Sequence, residues 1–288
     1  MKSALKMTTK LSAVALAALW VLLATPAHAA TSITACGNTI TVPGDYRLDA
    51  DLACTGDGIT IVASKVHLQL NSHQISGPGN NNIRGIVVQG PLTGVEIKGP
   101  GVVTGFEVGI FIDNADDTKV YGGVVISLNL VGIAAQAVTK LQLKDNLLST
   151  NFLFGAFLLN STNGQVQNNV MNGLPFLGGG GAGIALSGSG NEVNGNTTLG
   201  YFVGILVGFQ GAASGNRIHD NITSGNFQAG VLIADGSVGN RIEHNQALGN
   251  TSGFFSSGGI DLVDVNATCG TNRWHDNTFI TASQACIQ

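Results

Sequence analysis

Charge is scarce in this sequence. Asp, Glu, Lys and Arg make up 10% of the 288 residues and aromatic residues 6%, whereas an ordinary globular domain is about a quarter charged. The 13 basic residues are outnumbered by 17 acidic ones, for a net charge of −4, so the basic stripe that a nucleic-acid partner requires is missing. Apolar residues at helical spacing are missing too, which argues against bundles and α/β folds. No C-x-x-C or similar close ligand pair occurs, which argues against a zinc site. Past the first 29 residues no apolar run is long enough to span a membrane as a helix.

Those first 29 residues stand apart. Lys2, Lys6 and Lys10 precede an apolar run from Leu11 to Leu23, and Ala27-His28-Ala29 follows. A charged start, a short apolar segment and an A-x-A end form the pattern of a secretory signal peptide. The expectation is a leader over 1–29 and a single mature domain over 30–288, secreted or periplasmic. Loss of the three leader lysines would take the net charge from −4 to −7. All four cysteines fall in the mature part as two close pairs, Cys36 with Cys54 and Cys269 with Cys286. Three connectivities are open; in an exported chain local pairing is the economical one, and it would place one bridge near each end.

What the chain has in abundance is glycine, 41 residues, together with asparagine and β-branched residues. Units of the form x-Gly-apolar recur at Gly58, Gly85, Gly109, Gly132, Gly155, Gly183, Gly204, Gly230 and Gly259, separated by 21 to 29 residues. Such a period means stacked supersecondary units, and each unit holds three short strand-like pieces. The predicted fold is all-β, a single parallel β-helix of about nine to ten coils, closed at its ends by the local disulfides. Pairs at period two, such as Ile110/Ile112, Ile205/Val207 and Ile260/Leu262, should face inward. The glycine before each pair is read as allowing a sharp bend into the strand. Asn146, Asn169, Asn196, Asn221, Asn245 and Asn277 fall at one equivalent position, with Asn216/Asn240 and Asn226/Asn250 as parallel rows. These predict hydrogen-bonded side-chain ladders in the turns.

Repeats of the form G-N-x-I-x-x-N-x-x-x-G-N-x-x-G-I, with the opening T-I-T-V-P-G-D-Y-R-L (Thr39 to Leu48) and V-H-L-Q-L-N-S-H-Q-I-S-G (Val66 to Gly77), resemble the right-handed parallel β-helix repeats of the pectin-lyase-like superfamily. The resemblance covers most of the mature chain. It implies a right-handed coil and a functional range from polysaccharide lyases, hydrolases and epimerases to adhesins and carbohydrate-binding proteins, so function must be argued from the site. It further implies that calcium, where used, is held by carboxylates of adjacent coils. Asp235, Asp261 and Asp264 are the candidates for that role. The closely spaced Asp pair of the polygalacturonase type and the Asp-Pro-His of the mannuronan epimerase type are absent.

Chemistry on a rod lies on its outward positions. The row between the inward pairs is Thr60, Val87, Phe111, Ala134, Phe157, Ala185, Leu206, Leu232 and Asp261, almost wholly apolar, and reads either as covered or as a docking surface for a protein partner. The strand before the asparagine ladder is polar instead. Four residues before the ladder stand Gln142, Gln165, Glu192, Arg217, Arg241 and Arg273; two before it stand Lys144, Gln167, Asn194, His219, Glu243 and His275. A less secure extension adds Glu96 and Lys119, then Lys98 and Tyr121. In one patch Tyr121 could transfer a proton while Lys98 or Lys144 neutralises a substrate carboxylate, as β-elimination requires. In the other, His219, Glu243 and His275 could perform acid–base work while Arg217, Arg241 and Arg273 hold an anionic sugar. A solvated, ion-paired surface is the plain alternative for both.

Two loops also stand out, Leu174 to Gly181 (LPFLGGGG) and Phe254-Phe255, either of which could stack on sugars, bind a partner or cover the apolar row. The leading expectation is an exported protein that interacts with a polysaccharide or cell-surface glycan, as a lyase or a related carbohydrate-active protein. The alternative is a non-catalytic adhesion scaffold docking through the apolar row.

Overall fold

The computed structural model describes residues 29–79, 82–174, 181–250 and 259–288. The expected leader, the central part of LPFLGGGG and Phe254-Phe255 lie outside the described residues. The described chain winds through three parallel sheets. Sheet A runs from Thr31–Ile33 to Arg273–His275, sheet B from Asn38–Ile40 to Ile260–Asp264, and sheet C from Leu52–Ala53 to Thr278–Phe279. They hold 11, 11 and 10 strands, and each strand pairs with its counterparts on the preceding and following coils. Among the described residues the sole helical turn is a 3₁₀ segment at Ala267–Cys269, and no helix is long and apolar enough to cross a membrane.

The period-two pattern produces the core. Ile86, Ile110, Ile133, Ala156, Ile184, Ile205, Val231 and Leu262 stand in register on consecutive strands of sheet B, all fully buried. Burying each large aliphatic of this column stabilises the rod by roughly 2 kcal/mol. The repeating glycines have a different cause from the bend expected of them. Gly132 has no positive φ, but a Cβ there would stand 2.5 Å from Gly155 O and 2.8 Å from Asn151 Nδ2. The requirement is room for the next coil's backbone and for the corner asparagine.

The asparagine ladder forms as predicted. From Asn146 to Asn277 each Nδ2 donates to Oδ1 of the next member at 2.9–3.1 Å, and the backbone N–H of the same residue donates to that oxygen as well. Asn216/Asn240 belongs to a longer ladder, Asn191 to Asn272. Asn226/Asn250 ends on Asp261, whose Oδ1 accepts both Asn250 N–H and Nδ2.

That ending corrects the last repeat. Ala229 pairs with Ile260 and Ile233 with Asp264, so Asp261, not Gly259, stands opposite Gly230. Asp261, Leu262 and Asp264 are buried, Ile260 is only half-buried, and Val263 rather than Asp261 continues the outward row. The slip has a physical reason: with no further coil, Asn250 needs an acceptor instead of room, and aspartate supplies one. Asp264 closes the interior in the same way, accepting from Asn266, Asn272 Nδ2 and Trp274 Nε1 at 2.9–3.1 Å. Both local disulfides form, Cys36–Cys54 and Cys269–Cys286, across separations of 18 and 17 residues. Loops of that length correspond to about 3 kcal/mol each on a chain-entropy account.

Candidate functional site

Sheet A carries two outward columns side by side. One stacks Glu96, Lys119, Gln142, Gln165, Glu192, Arg217, Arg241 and Arg273; the other stacks Lys98, Tyr121, Lys144, Gln167, Asn194, His219, Glu243 and His275. The register includes the N-terminal extension, and strand pairing sets neighbours about 4.8 Å apart. The inward residue between each pair, such as Val120, Leu143 or Ile218, is buried and holds the strand in place.

Toward the N-terminal end, Glu96, Lys119, Tyr121, Gln142 and Lys144 line a shallow depression of about 270 Å³. Its anchor is Glu96, which sequence reasoning placed on the face but not in the site. Lys119 Nζ donates to Glu96 Oε1 at 2.9 Å and Tyr121 Oη to Oε2 at 3.0 Å. Hydrogen bonding by Lys119 holds the Glu96 carboxyl below its usual range. Partial burial and the Glu96 hydrogen bond push the Tyr121 phenol up. A phenol held protonated and donating to a carboxylate is not poised to take a proton, so the geometry counts against Tyr121 as a base. Lys98 Nζ lies 6.0 Å from the Tyr121 ring centroid.

At the other end the charges close on themselves. Glu243 and His219, expected to project into solvent, are 2% and 7% exposed. Flanking side chains cover them: Glu243 accepts from Arg217 Nε of the preceding coil at 2.5 Å and from Arg241 of its own strand at 3.0 Å, with His275 Nε2 of the following coil at 2.7 Å. Burial pushes the Glu243 carboxyl up, but the hydrogen bonds and charges of Arg217 and Arg241 outweigh it and hold the pKa at about 2. Such a carboxylate stays ionised near neutrality and is unsuited to proton exchange. His219 sits between Glu192 (2.8 Å) and Asp220 (2.6 Å), and His275 also reaches Asp276 at 2.9 Å. Asp220 and Asp276 were missed. The signal was available, since each directly precedes a ladder asparagine in a left-handed turn position that swings its side chain back over the column.

The three aspartates proposed for calcium do not converge. Asp235 is exposed on its turn, whereas Asp261 and Asp264 are buried and occupied by hydrogen bonds, including Ile280 N–H and Thr281 N–H to Asp261. Among the described residues no group of three or more His, Cys, Asp or Glu could hold a metal ion. On sheet B the apolar row folds onto itself. Phe154, Phe157 and Phe209 pack with centroids 5.2–5.7 Å apart over the buried Ala182 and Ala185, and Arg84 caps the Phe111 ring at 3.9 Å.

A rod of three in-register parallel sheets with two polar columns on one outward face defines the class, a parallel β-helix. The family described as the right handed beta helix region matches residues 108–279, more than half of the chain, and the chain belongs to it. Among solved structures, the chain is similar to the Dettilon tailspike protein (TM-score 0.66, 16% identity, 87% of this chain and 54% of that one). It is also similar to DFA-IIIase from Arthrobacter chlorophenolicus A6 in complex with DFA-III (TM-score 0.61, 16% identity, 84% of this chain and 63% of that one). The chain thus spans between about half and two thirds of these proteins, and the likeness is one of fold. No curated protein sequence matches it.

Proposed function

We propose that the protein is an exported, polysaccharide-interacting β-helix whose sheet A is the face along which a glycan lies. The observation that carries this reading is the pair of polar columns, continuous and in register from Glu96 and Lys98 to Arg273 and His275. They offer a hydrogen-bonding group on every coil, a repeat suited to a polymer with repeating hydroxyls. The signal-like leader and two disulfides fit an oxidising compartment outside the cytoplasm. DFA-IIIase, which shares the fold, is solved with DFA-III bound, which supports the rod as a ligand-carrying scaffold.

Within this reading the face binds rather than cleaves. Tyr121 is held protonated and Glu243 ionised, so neither of these two candidates is suited to exchange a proton near neutrality. Docking of a protein through the apolar row has less support, because Phe157 of that row packs against Phe154 and Phe209. The test is a polysaccharide panel with calcium and with chelator, monitored by binding and by ultraviolet absorbance of unsaturated ends. Retention of at least one glycan with a flat absorbance trace is expected. Rising absorbance would make the protein a lyase. Silence across the panel, with self-association lost in Phe157→Asp, would replace the reading with the scaffold.

A further inference from the structure

We infer that the column Lys98, Tyr121 and Lys144, of which Tyr121 and Lys144 line the depression, is a subsite for a glycan bearing a carboxylate on every second sugar ring. This deepens the polysaccharide reading and rests on it. The three residues occupy consecutive places in one column, so the sequence of chemistries along the rod is cation, aromatic ring, cation. Lys98 and Lys144 are two coils apart, about 9.6 Å by strand spacing.

The two lysines differ from Lys119 beside them. Lys119 is neutralised by Glu96 at 2.9 Å, whereas among the described residues neither Lys98 nor Lys144 has a carboxylate within 4 Å. Lys98 and Lys144 are thus unpaired cations on a chain whose net charge is −4, whereas Lys119 is offset by Glu96 and feels Asp117 as well. A ligand with anionic groups would find two uncompensated cations in one column here.

Tyr121 sets the spacing. The face of an aromatic ring carries negative quadrupole density, which welcomes an apolar sugar face and disfavours an anion. A glycan with an acid on every ring would place a carboxylate against that face. One with alternating acidic and neutral rings, advancing about one ring per coil, puts its acids on Lys98 and Lys144 and a neutral ring on Tyr121. Gln142, lining the same depression, and Gln167 on the next coil can both donate and accept, as ring hydroxyls require.

Calorimetric titration of the full chain with length-matched oligosaccharides of hyaluronan (a carboxylate on every second ring), polygalacturonate (on every ring) and uncharged cellulose tests this inference. Hyaluronan is expected to bind tightest. Lys98→Gln and Lys144→Gln should each weaken it about fivefold, and the double variant about 25-fold; Arg84→Gln, on sheet B over Phe111, should leave it unchanged. Polygalacturonate binding as tightly, or hyaluronan binding unchanged in the double variant, overturns the subsite. The broader reading would survive that result, since a glycan is still held. If no oligosaccharide binds and the wider panel is also silent, both fail.

Discussion

Asn196→Ala offers a direct measure of what the buried ladder contributes. The Asn196 side chain is fully buried and makes five hydrogen bonds. It donates to Val166 O (2.8 Å), Asn194 O (3.1 Å) and Asn221 Oδ1 (3.0 Å), and accepts from Asn169 N (2.9 Å) and Asn169 Nδ2 (3.0 Å). Alanine removes all five. Asn169 Nδ2 keeps Leu143 O and Gln167 O, and Asn221 Oδ1 keeps Asn196 N–H, so the damage concentrates on Asn169 N–H. An orphaned buried donor costs about 1–3 kcal/mol and each of the other four lost bonds about 0.5 kcal/mol, for a total of about 4 kcal/mol. Asn277→Ala, at the half-buried end of the same ladder where water can substitute, should cost about 1 kcal/mol. Urea unfolding followed by circular dichroism and by Trp274 fluorescence measures both variants and shows whether the rod unfolds as one unit. Equal midpoints for the two variants would refute the reasoning, because burial would then make no difference to the cost.

The Glu243 carboxyl gives a pH prediction. Its pKa lies at about 2 in the folded chain against an ordinary 4.5, so its contribution is fully present above about pH 4.5 and is lost as pH falls toward 2. The gap corresponds to roughly 3 kcal/mol; Glu243→Gln should lower the urea midpoint at pH 6 and flatten its decline between pH 5 and 2, and an unchanged acid limb would sink the assignment. Gly132→Ala should cost about 2 kcal/mol by forcing apart two coils, whereas Gly56→Ala, with nothing within 4 Å of the added Cβ, should leave the melting temperature within a degree or two; similar shifts in the two would show that room is not what Gly132 supplies.

Much of the scaffold was legible because it is repetitive. The inward pairs, the ladder from Asn146 to Asn277 and the register of both sheet A columns follow from a period that every coil must satisfy, so one well-read coil indexes the rest. The end of the rod broke the rule. Gly259 resembles the other glycines in its neighbours, but beyond Asn250 no further coil must be accommodated, and Asp261 took the place by supplying an acceptor. The site was legible as columns and not as contacts. Alternation placed Glu243 outward correctly, but it carries no information about Arg217 and Arg241 folding over the carboxylate from the flanking column. Likewise Lys119 and Tyr121 were seen as face residues, while their common partner Glu96 emerged only from side-chain geometry. Sheet C was not read at all, although its outward column, Leu147, Val170, Thr197, Ile222 and Gln246, directly follows the ladder asparagines.

The direction of the ladder bonds gives the rod an electrical polarity. Every ladder amide turns its oxygen toward the preceding coil and its NH₂ toward the following one, so the side-chain dipoles add and the positive pole falls at the C-terminal end. Asp261 and the Gln288 carbonyl, which accepts from Asn277, sit at that pole. Length and composition are thereby coupled: whole coils can be inserted anywhere inside the stack without disturbing the dipole, but a rod shortened from its C-terminal end must acquire a new acceptor at each truncated ladder. Evolution by coil duplication is correspondingly freer in the middle of this chain than at its last turn.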